Sequence, residues 1–251
     1  VSDMTDKKPA RKRVTKKAAR KRAVKDKPLR NLTDHFDRVF LINCQHRPDR
    51  LEETMAEFKR SGMADPSKVI VTKAIVGDYT GHSAGWGAGN GAWGCLQSHR
   101  RILEDLLHMR DERDALAWTS ALILEDDVFF LDNALEDFNR FIADAPPEWG
   151  QLYLGGQHQQ KVTPTDNPNL KKGNSINRTH AYAVHQSSVK QIYQHISYMP
   201  DYGPGIHVDH QLELAHRRKD WPVYCPARWI CGQRAGTSNI SGADLKALTW
   251  L

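Results

Sequence analysis

The stretch ALILEDDVFF, Ala121 to Phe130, decides how the rest of the sequence is read. Ala121, Leu122, Ile123 and Leu124 lead into Glu125, Asp126 and Asp127, and Val128, Phe129 and Phe130 follow. An apolar run of that length, bounded by polar residues, reads as a strand buried on both faces, as in an α/β sheet. Three adjacent carboxylates repel one another, and a buried carboxylate without a partner is costly. The fold must therefore bring something that accepts the charge.

Working outward, apolar runs alternate with amphipathic segments. RVFLINC (38–44) reads as a first strand, and the segment from Pro48 to Gly62 as a helix with Leu51, Met55 and Phe58 on one face. KVIVTKAI (68–75) is a second strand, and ALIL (121–124) a third. Between them, the glycine-rich stretch 77–94 reads as a mobile loop, followed by a long helix from Cys95 to Arg113. NALEDFNRFI is a helix stopped by Pro146 and Pro147. QLYLGG, THAYAVH and WPVYCPARWI read as further strands, with helices over QSSVKQIYQHISYM and HVDHQLELAHRRK. This alternation predicts an α/β domain, residues 34–251, with a mainly parallel central sheet flanked by helices. No internal repeat is present.

In such sheets, ligands bind at the carboxyl ends of the strands. Successive strand residues point to opposite sides, so Glu125 and Asp127 share one side while Asp126 faces the other. Two carboxylates on one side suit a hard divalent cation, Mn²⁺ or Mg²⁺, that prefers oxygen ligands and shares substrate phosphates. A turn beginning one residue earlier would exchange the roles of Glu125 and Asp126. The first strand leads into Asn43, Arg47 and Arg50. Arginines at a strand-to-helix turn suit a diphosphate, helped by the helix N-terminus. There is no GxxxxGK[ST] phosphate loop and no GxGxxG fingerprint.

Charge is distributed unevenly. The net +6 combines 13 Lys and Arg against Asp3, Asp6 and Asp26 within residues 1–30, a balance of +10, with 23 against 27 in the remainder, a balance of −4. The basic N-terminal tail, residues 1–33, has little apolar surface to bury and is expected to be disordered when free. It suits a polyanion, either nucleic acid or an anionic membrane surface. It lacks aromatic residues, so nucleic-acid contact would be phosphate-driven and salt-sensitive. No apolar run approaches a membrane span and no apolar leader stands at the N-terminus, which predicts a cytoplasmic protein, peripheral to a membrane or associated with DNA. Cys44, Cys95, Cys225 and Cys231 are too sparse for a disulfide framework and are expected as reduced thiols.

Several blocks in order resemble glycosyltransferase family 25, which includes bacterial lipooligosaccharide and collagen galactosyltransferases. LINCQHRPDRLE looks like the family's opening strand and R-x-D-R turn, GAWGCLQSHRRILE like its G-x-x-G-C-x-x-S-H helix start, and ALILEDDV like its acidic motif. QLYLGG, THAYAVHQSSVKQI, HVDHQLE and QRAGTSNIS are similar to its later blocks, so the resemblance spans residues 38–241. Asn239 stands where the family usually has Asp.

The resemblance implies a GT-A fold, a nucleotide-sugar donor such as a UDP-sugar, Mn²⁺, and inversion by direct displacement. On that reading Asp127 and either Glu125 or Asp126 hold the metal, with Asp126 reaching the donor ribose or sugar if Glu125 is the ligand; His207 and His210 are each a further metal ligand or a second base. Asn43, Arg47, Arg50, Ser98 and His99 contact the nucleotide sugar. An inverting transfer needs a base for the acceptor hydroxyl, and Asp209, near a helix start, is the candidate. The expected activity is hexosyl transfer to a lipooligosaccharide or other glycan. Two alternatives come from the tail: transfer to hydroxylated bases in DNA, and an inactive GT-A-like body that binds nucleic acid.

Overall fold

The computed structural model describes residues 28–82, 86–198, 207–237 and 244–249. The basic tail up to residue 27, part of the glycine-rich stretch and Asn239 lie outside them. In chain order come α1 (Leu32–His35), β1 (Arg38–Asn43), α2 (Pro48–Ser61), β2 (Ile70–Lys73), α3 (Gly77–Thr80) and α4 (Gly89–His108). Then follow β3 (Ser120–Glu125), β4 (Val128–Phe130), α5 (Ala134–Asp144) and β5 (Gln151–Tyr153). Four short strands succeed them: β6 (Gln157–His158), β7 (Thr163–Pro164), β8 (Leu170–Lys172) and β9 (Ile176–Asn177). The chain continues with β10 (Ala181–His185), α6 (Val189–Tyr198), α7 (Val208–Arg218), β11 (Val223–Pro226), β12 (Cys231–Gln233), β13 (Gly236–Thr237) and β14 (Asp244–Leu245).

Eight strands form the central sheet in the order β2-β1-β3-β10-β5-β11-β8-β7. The α/β architecture is as the sequence predicts, but the sheet is mixed. β1 pairs parallel with β2 and β3, and β11 with β5. β10 runs antiparallel between β3 and β5, and β8 antiparallel to both β11 and β7. The reason for the difference is physical. A strand buried on both faces is a continuous apolar run whichever way it points, and β10 has its first four residues buried.

Strand alternation sorts the core into two layers. Phe40, Ile42, Ile123, Tyr182 and Val184 face α4, α6 and α7, packing with Leu96, Ile102, Leu103, Ile192 and Leu212. Leu41, Leu122, Leu124 and Ala183 face α2 and α5, packing with Phe58, Phe138 and Phe141. Leu122, Ile123 and Leu124 are fully buried, each worth about 1.5–3 kcal/mol of apolar transfer. Leu32 is buried in the second layer, and the Asn31 side chain caps α1.

Local signals set the helix ends. Pro48 occupies the first turn of α2, and Gly62 closes it in the left-handed region at φ 66°. The glycine-rich stretch departs from the loop expectation, because α4 starts at Gly89, six residues before Cys95. A Cβ at Gly94 would lie 2.3 Å from the Ile75 carbonyl oxygen, so glycine here permits close packing of the helix on the chain leaving β2. The same helix ends at His108 rather than Arg113, where the chain turns back and Arg110 bridges to Leu116.

Candidate functional site

β3 ends at Glu125, and Asp126 and Asp127 form the turn into β4. The triplet opens into a cleft of about 330 Å³ at the carboxyl ends of β1, β2 and β3. Its walls include Arg50, Ser98, His99, all three acids, Arg178, Gln233 and Arg234. Asn43 holds the base of the acidic turn from behind, through Asp126.

The two sides of the triplet differ in chemistry. Asp126 faces α2, where Asn43 Nδ2 donates to its Oδ2 at 2.7 Å and Arg50 Nη1 to its Oδ1 at 3.1 Å. Thr54 Oγ1 donates to the Asp126 carbonyl at 2.7 Å, and Arg234 Nη2 donates to that same oxygen. Burial pushes the Asp126 carboxyl above its ordinary range despite Arg50 and Asn43, which pull it down. Both oxygens are engaged within the protein, so Asp126 braces the turn.

Glu125 faces the opposite way, towards α4. Thr179 Oγ1 donates to its Oε1 at 2.7 Å, and His99 Nε2 lies 3.4 Å from the same oxygen. Burial pushes Glu125 up, but the His99 and Thr179 contacts outweigh it and hold the carboxyl below its ordinary value. His99 is fully buried, with Nδ1 3.0 Å from the Tyr182 hydroxyl. Cys95 lies one helical turn before His99, and ligand atoms of Cys95, His99 and Glu125 all fall within 4.8 Å of one another. These three form a candidate metal-coordinating cluster. Burial, then the charges of Glu125, Asp209 and Asp127, push the Cys95 thiol well above its ordinary range.

Asp127 lies between these sides. Gln233 Nε2 donates to its Oδ2 at 3.2 Å, and the backbone amide of Arg234 donates to its carbonyl at 2.7 Å. Burial, with Glu125 and Asp126 close by, pushes its carboxyl up to about 7. That crowding tests the fit of a hard cation: a carboxylate beside two others, facing a cleft with an amide as its side-chain donor, gains most from an added positive charge. The metal-type cluster among the described residues includes Glu125 but not Asp127.

Of the remaining expected residues, Arg50 and Ser98 share the cleft wall with the acids. Arg47 pairs with exposed Asp49 at 2.7 Å, and its carbonyl accepts from Asn43. Arg50 commits its other Nη to the Thr237 carbonyl at 2.8 Å. The Ser98 hydroxyl donates to the Gly94 carbonyl and accepts from the Ile75 amide, tying α4 to the β2 exit. Asp209 occupies the first turn of α7, its Oδ1 accepting from the His210 amide at 2.9 Å, and the His207 and His210 rings are 5.6 Å apart. The metal-type cluster among the described residues takes neither His207 nor His210. Asp209 is near enough for its charge to act on the Cys95 thiol.

Gln233, Arg234, Thr179 and Arg178 have no role in the sequence reading. Arg178 holds φ at 81° on the cleft wall, a conformation costly for a side-chain-bearing residue and often found at functional sites. Gln233 and Arg234 arrive because β12 pairs antiparallel with β4, setting Gln233 opposite Val128. Their signal was their place in the closing block.

No family model matches the chain. Over 146 residues it is 26% identical to "Procollagen lysyl hydroxylase and glycosyltransferase" of Acanthamoeba polyphaga mimivirus, covering 51% of this chain and 16% of that protein. Similar solved structures include a glycosyltransferase involved in glycosylating the major capsid of PBCV-1, with TM-score 0.37, 10% identity and 71% and 73% of the two chains covered. A197 from STIV gives TM-score 0.39 and 12% identity over 83% and 92%. The inositol-1-phosphate CTP transferase from T. maritima gives 0.38 and 14% over 77% and 67%. Scores this low establish no shared fold. No helix among the described residues is long and apolar enough to cross a membrane.

Proposed function

We propose that the chain is a divalent-cation-dependent glycosyltransferase of the GT-A type, related to family 25, that moves a hexose from a UDP-sugar to a hydroxyl acceptor with inversion. The observation that carries this reading is geometric: Glu125, Asp126 and Asp127 together line one cleft at the strand ends, where burial and the two neighbouring acids push the Asp127 carboxyl up. The likeness to a viral protein with glycosyltransferase in its name supports it over half the chain.

Glu125 and Asp127 would hold Mn²⁺ or Mg²⁺. A bound cation neutralises charge developing on the departing nucleoside diphosphate. At ~4 Å and an effective dielectric of ~20, each such charge pair is worth about 4 kcal/mol. Arg178 on the cleft wall adds positive charge towards the same diphosphate. Arg50 and Asn43 act one step back, by fixing Asp126 and with it the turn. Asp209 accepts the proton of the acceptor hydroxyl as its oxygen bonds to the anomeric carbon and the bond to the diphosphate breaks. The acceptor is a glycan hydroxyl on the family resemblance; a hydroxylated DNA base is the other class, and rests on the basic tail.

The test is incubation with UDP-sugars and Mn²⁺ together with glycan, protein and hydroxymethylated-DNA acceptors, read by mass spectrometry. Transfer to one acceptor class, lost in Asp127→Ala, is the expected result. No donor turnover with any acceptor, and no effect of Asp127→Ala, would sink the reading.

A further inference from the structure

The α4 side of the acidic turn carries chemistry that a hard cation does not use. Cys95 and His99 are an i, i+4 pair, so one helix presents a sulfur and an imidazole nitrogen on the same face. Glu125 meets them from the end of β3, and the three ligand atoms converge within 4.8 Å. His99 is fully buried, and its Nε2 has no hydrogen-bond partner while facing Glu125 Oε1 at 3.4 Å. With the Tyr182 hydroxyl donating to Nδ1, Nε2 carries a proton towards Glu125 Oε1, in the place a metal ion would take. Two Lewis bases so placed need a proton or a metal ion between them.

Sulfur, nitrogen and one carboxylate oxygen are the donor set of a borderline cation, not of Mg²⁺ or Ca²⁺. Three protein ligands with a fourth position open to the cleft is the arrangement of an accessible zinc site. Tyr182, behind His99, is the kind of outer partner that orients a ligating imidazole. We infer that Cys95, His99 and Glu125 form a binding site for a cation of the Zn²⁺ class, which overlaps the hard-cation position through Glu125. A cation of that class displaces the Cys95 proton and withdraws Glu125 from the hard site, so the two occupancies exclude each other. The predicted consequence for activity rests on the glycosyltransferase reading; the binding does not.

Co²⁺ added alone to chelator-treated full-length protein is the probe. A near-ultraviolet thiolate-to-cobalt band with intense visible bands of low-coordinate cobalt is expected, lost in Cys95→Ser and kept in Cys44→Ser, the other thiol on the cleft wall. Should Cys95→Ser fail to fold, X-ray absorption of the Zn²⁺-loaded wild type decides instead, with one sulfur expected at ~2.3 Å. A cobalt spectrum without a thiolate band, a band that survives Cys95→Ser, or a zinc shell without sulfur overturns the site. In the transfer assay with Mn²⁺, Zn²⁺ should inhibit the wild type and inhibit Cys95→Ser at least tenfold more weakly. A protein with the cobalt band but no transferase activity would keep this site while removing the proposed function.

Discussion

Glu125 and Asp126 are neighbours in the chain and opposites in the fold. On the α2 side, Asp126 meets Asn43 and Arg50 while Thr54 and Arg234 share its carbonyl, so every strong acceptor there has a donor. On the α4 side, Glu125 shares its space with a histidine nitrogen that lacks a hydrogen bond and a thiol that burial keeps protonated. The satisfied side holds the turn in place, and the unsatisfied side is where a ligand has something to gain. One apolar strand thus delivers a brace and a reactive face from consecutive residues.

The comparison breaks most severely at Asp127. Asp127→Asn should lower transfer by about a thousandfold or more, the equivalent of ~4 kcal/mol of charge stabilisation, as measured by kcat/KM. Its effect on stability runs the other way. The folded carboxyl, at about 7, lies above its ordinary 3.8, so the folded state binds more protons across that interval and loses stability as pH rises. In chelator-treated protein, Asp127→Asn should therefore melt higher than wild type at pH 8, with the advantage shrinking towards pH 5. Equal melting curves at both pH values would refute that crowding.

Asp126→Ala should do the reverse, costing stability first. It strands Arg50, whose side chain is 11% exposed, beside Asn43. Breaking a buried pair from one side costs about 3 kcal/mol or more, about 6–12 °C in melting temperature for a domain of this size. Activity per folded molecule should fall far less than in Asp127→Asn. Gly94→Ala probes the α4 side, where the added Cβ would meet the Ile75 carbonyl at 2.3 Å. Overpacking of about 1–3 kcal/mol is expected, with weaker Co²⁺ binding because Cys95 and His99 move with the helix. Gln233→Ala is the mildest change: one lost hydrogen bond to a carboxylate, about 1 kcal/mol, seen as up to tenfold weaker Mn²⁺ binding by calorimetry.

The opposed faces of Glu125 and Asp126 were legible because β3 runs regularly up to Glu125, and strand alternation needs nothing more than that. Strand direction was not, since the apolar run AYAVH reads alike in both senses. The glycine-rich stretch misled because glycine marks both flexible loops and close helix contacts, and only the packing partner at Ile75 distinguishes them. Gln233 and Arg234 stood in the closing block, but their partners could not be read from it. Their contacts with Asp127 and Asp126 span 106 and 108 residues, beyond the reach of any local pattern.

That separation carries a consequence for how the protein is made. The acidic turn lies midway along the chain, but its braces come from residues 43–54 and 233–237. A chain emerging from the ribosome would have β3 and its acids long before β12 arrives to close against β4. Until then three adjacent carboxylates would stand without Gln233 or Arg234, and the cleft would lack one of its walls. Such distant pairings form late and slowly. The site should therefore mature near the end of folding, and a cation that gathers the acids early would act as a template for the chain as well as a reagent for its chemistry.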